Sequence, residues 1–239
     1  VVRGEQKEFK RTQTTDFDFS PEGLENTILG LSAEDKLQSN ELPLKVTVSH
    51  GDLKYASYPV LAGHFKNDGV LYAEARIDGL LGGVLSQLHK LGLYPGVIGT
   101  HEVQLTYTDG GFPGAIVIGL DQPDKLTAFE LARSVEQGII KYLIKINGRE
   151  GMSSALYLKE PLGISSLIIA CGYGGLSVEN AAGAILQGIS NANVKVRMLY
   201  SEKAKLIEHV ELVELYEDKA LNAIIAVRQL SKESGGSMN

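Results

Sequence analysis

The stretch Leu167-Ile168-Ile169-Ala170-Cys171-Gly172-Tyr173-Gly174-Gly175-Leu176-Ser177 passes from apolar residues through glycines to a hydroxyl side chain. Its first four residues read as a short buried strand, because they are apolar throughout and stop at a turn signal. Ser177 is placed to cap a helix, whose buried stripe is Val178, Ala181, Ile185 and Ile189. A strand that enters a helix through glycines is the building unit of an α/β sheet. Ligands on such sheets sit beyond the carboxyl ends of the strands. Glycines let backbone N–H groups approach an anion, and the following helix adds its positive end. Gly172, Gly174, Gly175 and Leu176 are therefore candidate phosphate-facing residues, with a tight strand-to-helix turn as the plain alternative.

Working outward, the same alternation recurs. Leu44, Val46 and Val48 alternate with polar residues, the period of a half-buried strand, and Gly51-Asp52 ends it. Tyr58-Pro59-Val60-Leu61-Ala62-Gly63 reads as a second strand. Gly82-Gly83 opens a helix that presents Val84, Leu85, Leu88 and Leu91 on one face and stops at Gly92. Val103, Leu105 and Tyr107 alternate as a third strand, and a turn from Gly110 to Gly114 follows. Ala115-Ile116-Val117-Ile118-Gly119-Leu120 is apolar on both sides, as a strand covered on two faces must be. Thr127 and Glu130 form a capping box for a long helix with Ala132, Val135, Ile139, Leu143 and Ile146 inward. A strand near 210–215 and a helix with Leu221, Ile224 and Ile225 inward close the pattern. The expected fold is a three-layer α/β/α arrangement around a mixed, mainly parallel sheet, spanning 41–232. A polar arm over 1–40, with a short helix at 24–31, precedes it, and a flexible tail at 233–239 follows.

Composition narrows the function. Hydrophobic residues make up 44% and charged residues 22%, ordinary values for a globular chain, and the net charge of −6 comes with no basic run. Nucleic-acid binding needs a field of Lys and Arg, so none is expected. No apolar run reaches the ~18–20 residues that span a bilayer. The single Cys171 excludes an internal disulfide and a cysteine-rich zinc site, which fits the cytoplasm. The histidines His50, His64, His89, His101 and His209 show no paired metal-ligand spacing. Glu74, Arg76 and Asp78 read as a solvated surface.

The segment from Gly51 to Ala62 resembles the opening of macro domains, where a Gly-Asp turn leads into a strand. Gly82 to Gly92 resembles the glycine loop and helix that come next, and Leu167 to Gly188 resembles their late strand, phosphate loop and helix. The resemblance covers roughly 44–230 and implies a pocket roofed by three loops that follow strands. In it Asp52 would read a base or ribose, Gly82 and Gly83 would face the ligand, and amides near Gly174, Gly175 and Leu176 would hold a diphosphate. Two relatives look closer. Gly82-Gly83-Val84-Leu85-Ser86 and Val117-Ile118-Gly119-Leu120 are similar to the N-terminal domain of leucyl aminopeptidases. His50-Gly51-Asp52-Leu53, Leu91-Gly92-Leu93-Tyr94-Pro95-Gly96 and Glu214-Leu215-Tyr216-Glu217-Asp218 are similar to a segment of large bacterial proteins that carry a caspase-like CHAT domain. The chain departs from ADP-ribose-processing macro domains near Leu61 to His64, where their paired Asn residues are missing.

The expectation is a non-catalytic binding or scaffolding module of a larger bacterial protein, concerned with stress or defence. It needs no cofactor of its own. Its partners would be a nucleotide or ADP-ribose-like small molecule and other domains of the parent protein. One alternative is an interaction domain with no small ligand. Another is a Cys–His peptidase, because Ser49-His50-Gly51 and Ala170-Cys171-Gly172 echo caspase-like turns.

Overall fold

The computed structural model describes residues 44–106, 111–148, 161–172 and 174–233. The 1–40 arm with its short helix, Tyr107, Gly110, Tyr173 and residues 234–239 of the tail lie outside the described residues. The strands are β1 (Lys45–His50), β2 (Val60–His64), β3 (His101–Leu105), β4 (Gly114–Gly119), β5 (Gly163–Ser166) and β6 (His209–Glu214). They form one sheet in the order β1-β6-β5-β2-β4-β3, parallel throughout except for the antiparallel β3–β4 pair. The helices among the described residues are α1 (Tyr72–Leu80), α2 (Val84–Lys90), α3 (Ala128–Asn147), α4 (Val178–Tyr200) and α5 (Glu217–Glu233).

Strand alternation splits the buried side chains into two clusters, one on each face of the sheet. Leu61, Ile116, Ile118, Ile164, Val210 and Leu212 meet Leu131, Val135 and Ile139 of α3, Ala181, Ile185 and Ile189 of α4, and Ala223 of α5. On the other face, Val60, Ala62, Ala115, Val117 and Val213 meet Leu53, Ile77 of α1 and Leu85 of α2. The result is the expected three-layer α/β/α arrangement with a mixed, mainly parallel sheet. Every residue of β4 is buried, as its uninterrupted apolar sequence requires. Both arms of the Thr127–Glu130 capping box form, and Ser177 accepts a hydrogen bond from the Asn180 N–H. Two glycines set the helix spacing. A Cβ on Gly138 would lie 2.6 Å from the Ile118 side chain, and one on Gly188 would lie 2.5 Å from the Ala132 carbonyl oxygen. Side chains at these positions would push α3 off the sheet and α4 off α3.

Three expectations are corrected, and one helix is added. The late strand is Gly163–Ser166, not 167–170. Ile168 and Ile169 are buried beyond its end, and an apolar run alone does not separate a strand from a buried connector. The small residues of β5 are needed, because a Cβ on Gly163 would fall 2.7 Å from the Tyr58 ring. Helix α1 has little apolar pattern to announce it, since only Ile77 and Asp78 are buried. Leu91 stands exposed rather than packing with Leu85. In α5 the inner face is Ala220, Ala223 and Ala226, while Leu221 and Ile225 point outward.

Candidate functional site

The site begins where β1 ends. Asp52 has extended backbone, and its Oδ1 accepts the Lys54 N–H at 2.8 Å, capping a single 3-10 turn at Leu53–Tyr55. Arg76 reaches across from α1. Its Nε donates to Oδ1 at 3.2 Å and its Nη2 to Oδ2 at 3.1 Å, a two-pronged pair in which both side chains remain part-exposed. The Lys54 N–H, and after it the Arg76 guanidinium, holds the Asp52 carboxyl below its usual range.

This pair stands in the wall of a cavity of about 560 Å³ beyond the carboxyl ends of β1 and β6, a size suited to a small organic ligand. The floor is apolar, from Leu53, Leu167 and Val213. One wall is Gly51, Asp52 and the first turns of α1, with Tyr72, Ala73 and Arg76; the other is Glu214, Leu215, Tyr216 and Lys219 of the β6–α5 connection. Tyr72 is 92% exposed and Tyr216 58%. Tyr72 also has a φ of 48°, the left-handed region that a bulky residue rarely occupies. Such strain collects at functional sites. The Lys219 Nζ lies 5.3 Å from the centre of the Tyr216 ring. Burial pushes the Glu214 carboxyl up, against the pull of Lys219.

The glycine loops stand apart from this cavity wall. Gly82 and Gly83 join α1 to α2, so they follow a helix and not a strand, which corrects the expectation. Both are left-handed, and the Gly83 N–H donates to the Asp78 carbonyl. The 170–176 loop closes on itself. The Gly175 N–H donates to Gly172 O at 3.0 Å and the Leu176 N–H to Ala170 O at 3.3 Å. Two of the amides expected to face a phosphate therefore already have partners inside the loop. Gly174 is packed against Ala170, whereas Gly172 and Gly175 are left-handed with open space at the Cβ position. Of the expected site residues only Asp52 lines the cavity. Arg76, Tyr72 and Tyr216 line it without having been singled out for it, because nothing in the spacing of α1 marks it as a cavity wall.

Glu74 and Asp78 are not a solvated surface, whereas Arg76 is exposed as expected. The buried His64 ring meets Glu74 Oε2 at 2.9 Å, and the Tyr94 hydroxyl donates to the same oxygen at 2.8 Å. Asp78 is buried and accepts from the N–H groups of Leu85 and Ser86, supplying the cap that Gly83 lacks for α2. The peptidase alternative finds no support. Burial, and after it the Glu214 charge, pushes the Cys171 thiol up to about 11, so at neutral pH it is not the thiolate such chemistry requires. His50 Nε2 lies 3.0 Å from the Leu215 carbonyl oxygen. No group of side chains among the described residues has the arrangement of a metal site, and no described helix is long and apolar enough to cross a membrane.

Among solved structures, the chain is similar in fold to macrodomains of Oceanobacillus iheyensis. With a mutant of that macrodomain bearing ADPR it shares 16% identity at a TM-score of 0.51, covering 81% of this chain and 97% of the other. A second mutant gives 17%, 0.51, 81% and 96%, and the macrodomain with ADP gives 16%, 0.50, 81% and 95%. No protein-family model and no curated protein matches the chain. At such identities the likeness is one of fold: this chain has the macro-domain fold.

Proposed function

We propose that this chain is a macro-like binding module for a nucleotide or an ADP-ribose-like diphosphate. The observation that carries the reading is the cavity beyond β1 and β6, where a carboxylate acceptor, Asp52, shares an apolar pocket with the exposed rings of Tyr72 and Tyr216. The fold likeness to macrodomains with ADPR or ADP supports it. In this reading the base enters between the tyrosines, because flat heterocycles stack on aromatic faces, and Asp52 accepts from its amino group. The diphosphate runs toward the 172–176 loop, where the open backbone of Gly172 and Gly175 leaves room, with Gly174 and Leu176 fixing the loop's shape. Gly82 and Gly83 serve the α1–α2 turn. The module is non-catalytic. It is taken as the 41–232 domain of a longer cytoplasmic protein of bacterial type, related to the segment that accompanies CHAT domains and to the N-terminal domain of leucyl aminopeptidases.

Calorimetric titration of ADP-ribose into the wild-type chain and into Asp52→Ala tests this. Saturable binding that weakens at least tenfold in the variant is expected, because a hydrogen bond to a charged group carries about 1.5–3 kcal/mol. No heat with either protein would sink the reading.

A second reading rests on the apolar rim. Leu71, Tyr72, Leu215 and Tyr216 are all more than half exposed, and exposed apolar surface of this kind also marks protein contacts. It predicts an elution volume that falls with concentration and does not respond to nucleotide.

A further inference from the structure

Asp52 does not stand alone in the cavity wall, and its company decides which base it can accept. A carboxylate offers about four lone-pair sites. Three are used: Oδ1 takes the Lys54 N–H and the Arg76 Nε–H, and Oδ2 takes one Arg76 Nη2–H. The fourth, on Oδ2, takes no other donor among the described residues, and both residues line the cavity. A guanidinium has five N–H donors, and this pairing uses two of Arg76's. The pair is thus a composite edge with an acceptor on Oδ2 beside spare donors on Arg76, locked in that order by the two-pronged bond.

We infer that Arg76 is the specificity-determining residue of this pocket and that the Asp52–Arg76 edge selects a 6-aminopurine over a 6-oxopurine. The inference rests on the nucleotide reading above. An adenine presents an amino donor next to a ring-nitrogen acceptor, which matches acceptor-then-donor. A hypoxanthine presents a carbonyl oxygen next to a ring N–H. With the ring held by stacking and its ribose fixed, its oxygen would face Oδ2 and its N–H would face the guanidinium. Two like-against-like contacts are a repulsive element, the usual means of rejecting a near-isostere. Without Arg76 the donor half of the edge is gone: Oδ1 keeps the Lys54 N–H, but Oδ2 can accept either the amino group or the ring N–H, so the selection disappears even though Asp52 remains.

The experiment is calorimetric titration of ADP-ribose and of its hypoxanthine analogue, inosine diphosphate ribose, into wild type, Arg76→Ala and Arg76→Lys, with a thermal melt of each protein. Wild type is expected to prefer the adenine ligand by about tenfold or more. Arg76→Ala should bring the two ligands within about threefold, and Arg76→Lys, which keeps the charge and loses the fork, should fall nearly as far. Wild-type binding of both ligands with equal affinity overturns the inference and leaves the nucleotide reading standing. So does unchanged discrimination in Arg76→Ala, or equal loss of both ligands in a variant that melts like wild type. Binding of neither ligand by wild type ends both.

Discussion

The two faces of the sheet are buried by different means. On one face α3, α4 and α5 lie on Leu61, Ile116, Ile118, Ile164, Val210 and Leu212, and the contact is apolar side chain on apolar side chain. On the other, α1 and α2 cover only the half over β2 and β4. Over β1, β6 and β5 the covering element is a crossing of the chain from Gly51 to Pro59, which includes the single 3-10 turn, and apart from Val213 the side chains beneath it are polar. Buried Glu211 accepts the Ser49 hydroxyl at 2.7 Å, the Ser57 N–H at 2.9 Å and the Ser165 hydroxyl at 2.5 Å. Beside it, His209 lies 2.9 Å from both the Tyr58 and the Thr47 hydroxyls. An apolar contact is non-directional and scales with area. A carboxylate with several donors admits one arrangement. The apolar face therefore holds the molecule together, and the polar face fixes where the crossing segment runs, with Ser57 anchored at one end and Asp52 delivered to the cavity at the other.

The largest effect belongs to the apolar face. Ile139 is fully buried in α3, and Ile139→Ala is expected to lower unfolding free energy by about 3–4 kcal/mol, from lost transfer energy plus the cavity left behind. A denaturant titration reads it as a lower midpoint at unchanged slope. A loss under about 1 kcal/mol would put the stability elsewhere than in this layer.

The polar face should yield less, with a pH signature that the apolar face cannot have. Glu211→Gln keeps the shape and weakens the acceptor, for about 2 kcal/mol, as hydrogen bonds to charged groups go. Burial alone would raise the Glu211 carboxyl, but the hydrogen bonds from Ser165, Ser49 and the Ser57 N–H outweigh it, so the group lies below its ordinary value of 4.5. A carboxyl depressed in the folded state adds stability that is fully present above its unfolded pKa and is lost as the pH falls through the folded one. Wild type should accordingly lose midpoint as the pH drops below 4.5, and Glu211→Gln should show a shallower acid limb. Identical acid limbs would remove Glu211 from the account. A smaller loss again is expected at Asp78→Ala, about 1 kcal/mol for removing a helix cap, because it serves a helix of only seven residues.

The apolar face was legible in the sequence and the polar one was not, for one reason. Periodicity reports where water is excluded by area, so β4, the α3 stripe and the α4 stripe are written plainly in Ile116, Ile118, Val135, Ile139, Ala181 and Ile185. A carboxylate buried under serines, or an aspartate capping a helix from five residues upstream of its glycine start, reads as ordinary surface polarity. Glu211 becomes meaningful only once β1, β5, β6 and the crossing segment are adjacent, and Asp78 only once α2 folds back on α1. The same holds for the candidate site. Asp52 was legible as part of a Gly-Asp turn after a strand. Its partner Arg76 sits in a helix with almost no apolar pattern, and the two tyrosines come from segments 144 positions apart in the chain. In α5 the alanines, not the larger Leu221 and Ile225, face inward, with Val227 and Leu230 packed at the margin of the core.

The smallest expected effect is the one that separates holding the fold from serving the ligand. Asp52→Ala removes an exposed carboxylate that caps a single 3-10 turn and pairs with an exposed Arg76. Surface pairs of this kind contribute little, because water screens them and both side chains lose freedom in forming them. The denaturation midpoint of Asp52→Ala should coincide with that of wild type while its affinity for ADP-ribose falls at least tenfold. A midpoint lowered as far as that of Asp78→Ala would instead make Asp52 a structural cap, whose effect on any ligand is exerted through the position of the crossing segment.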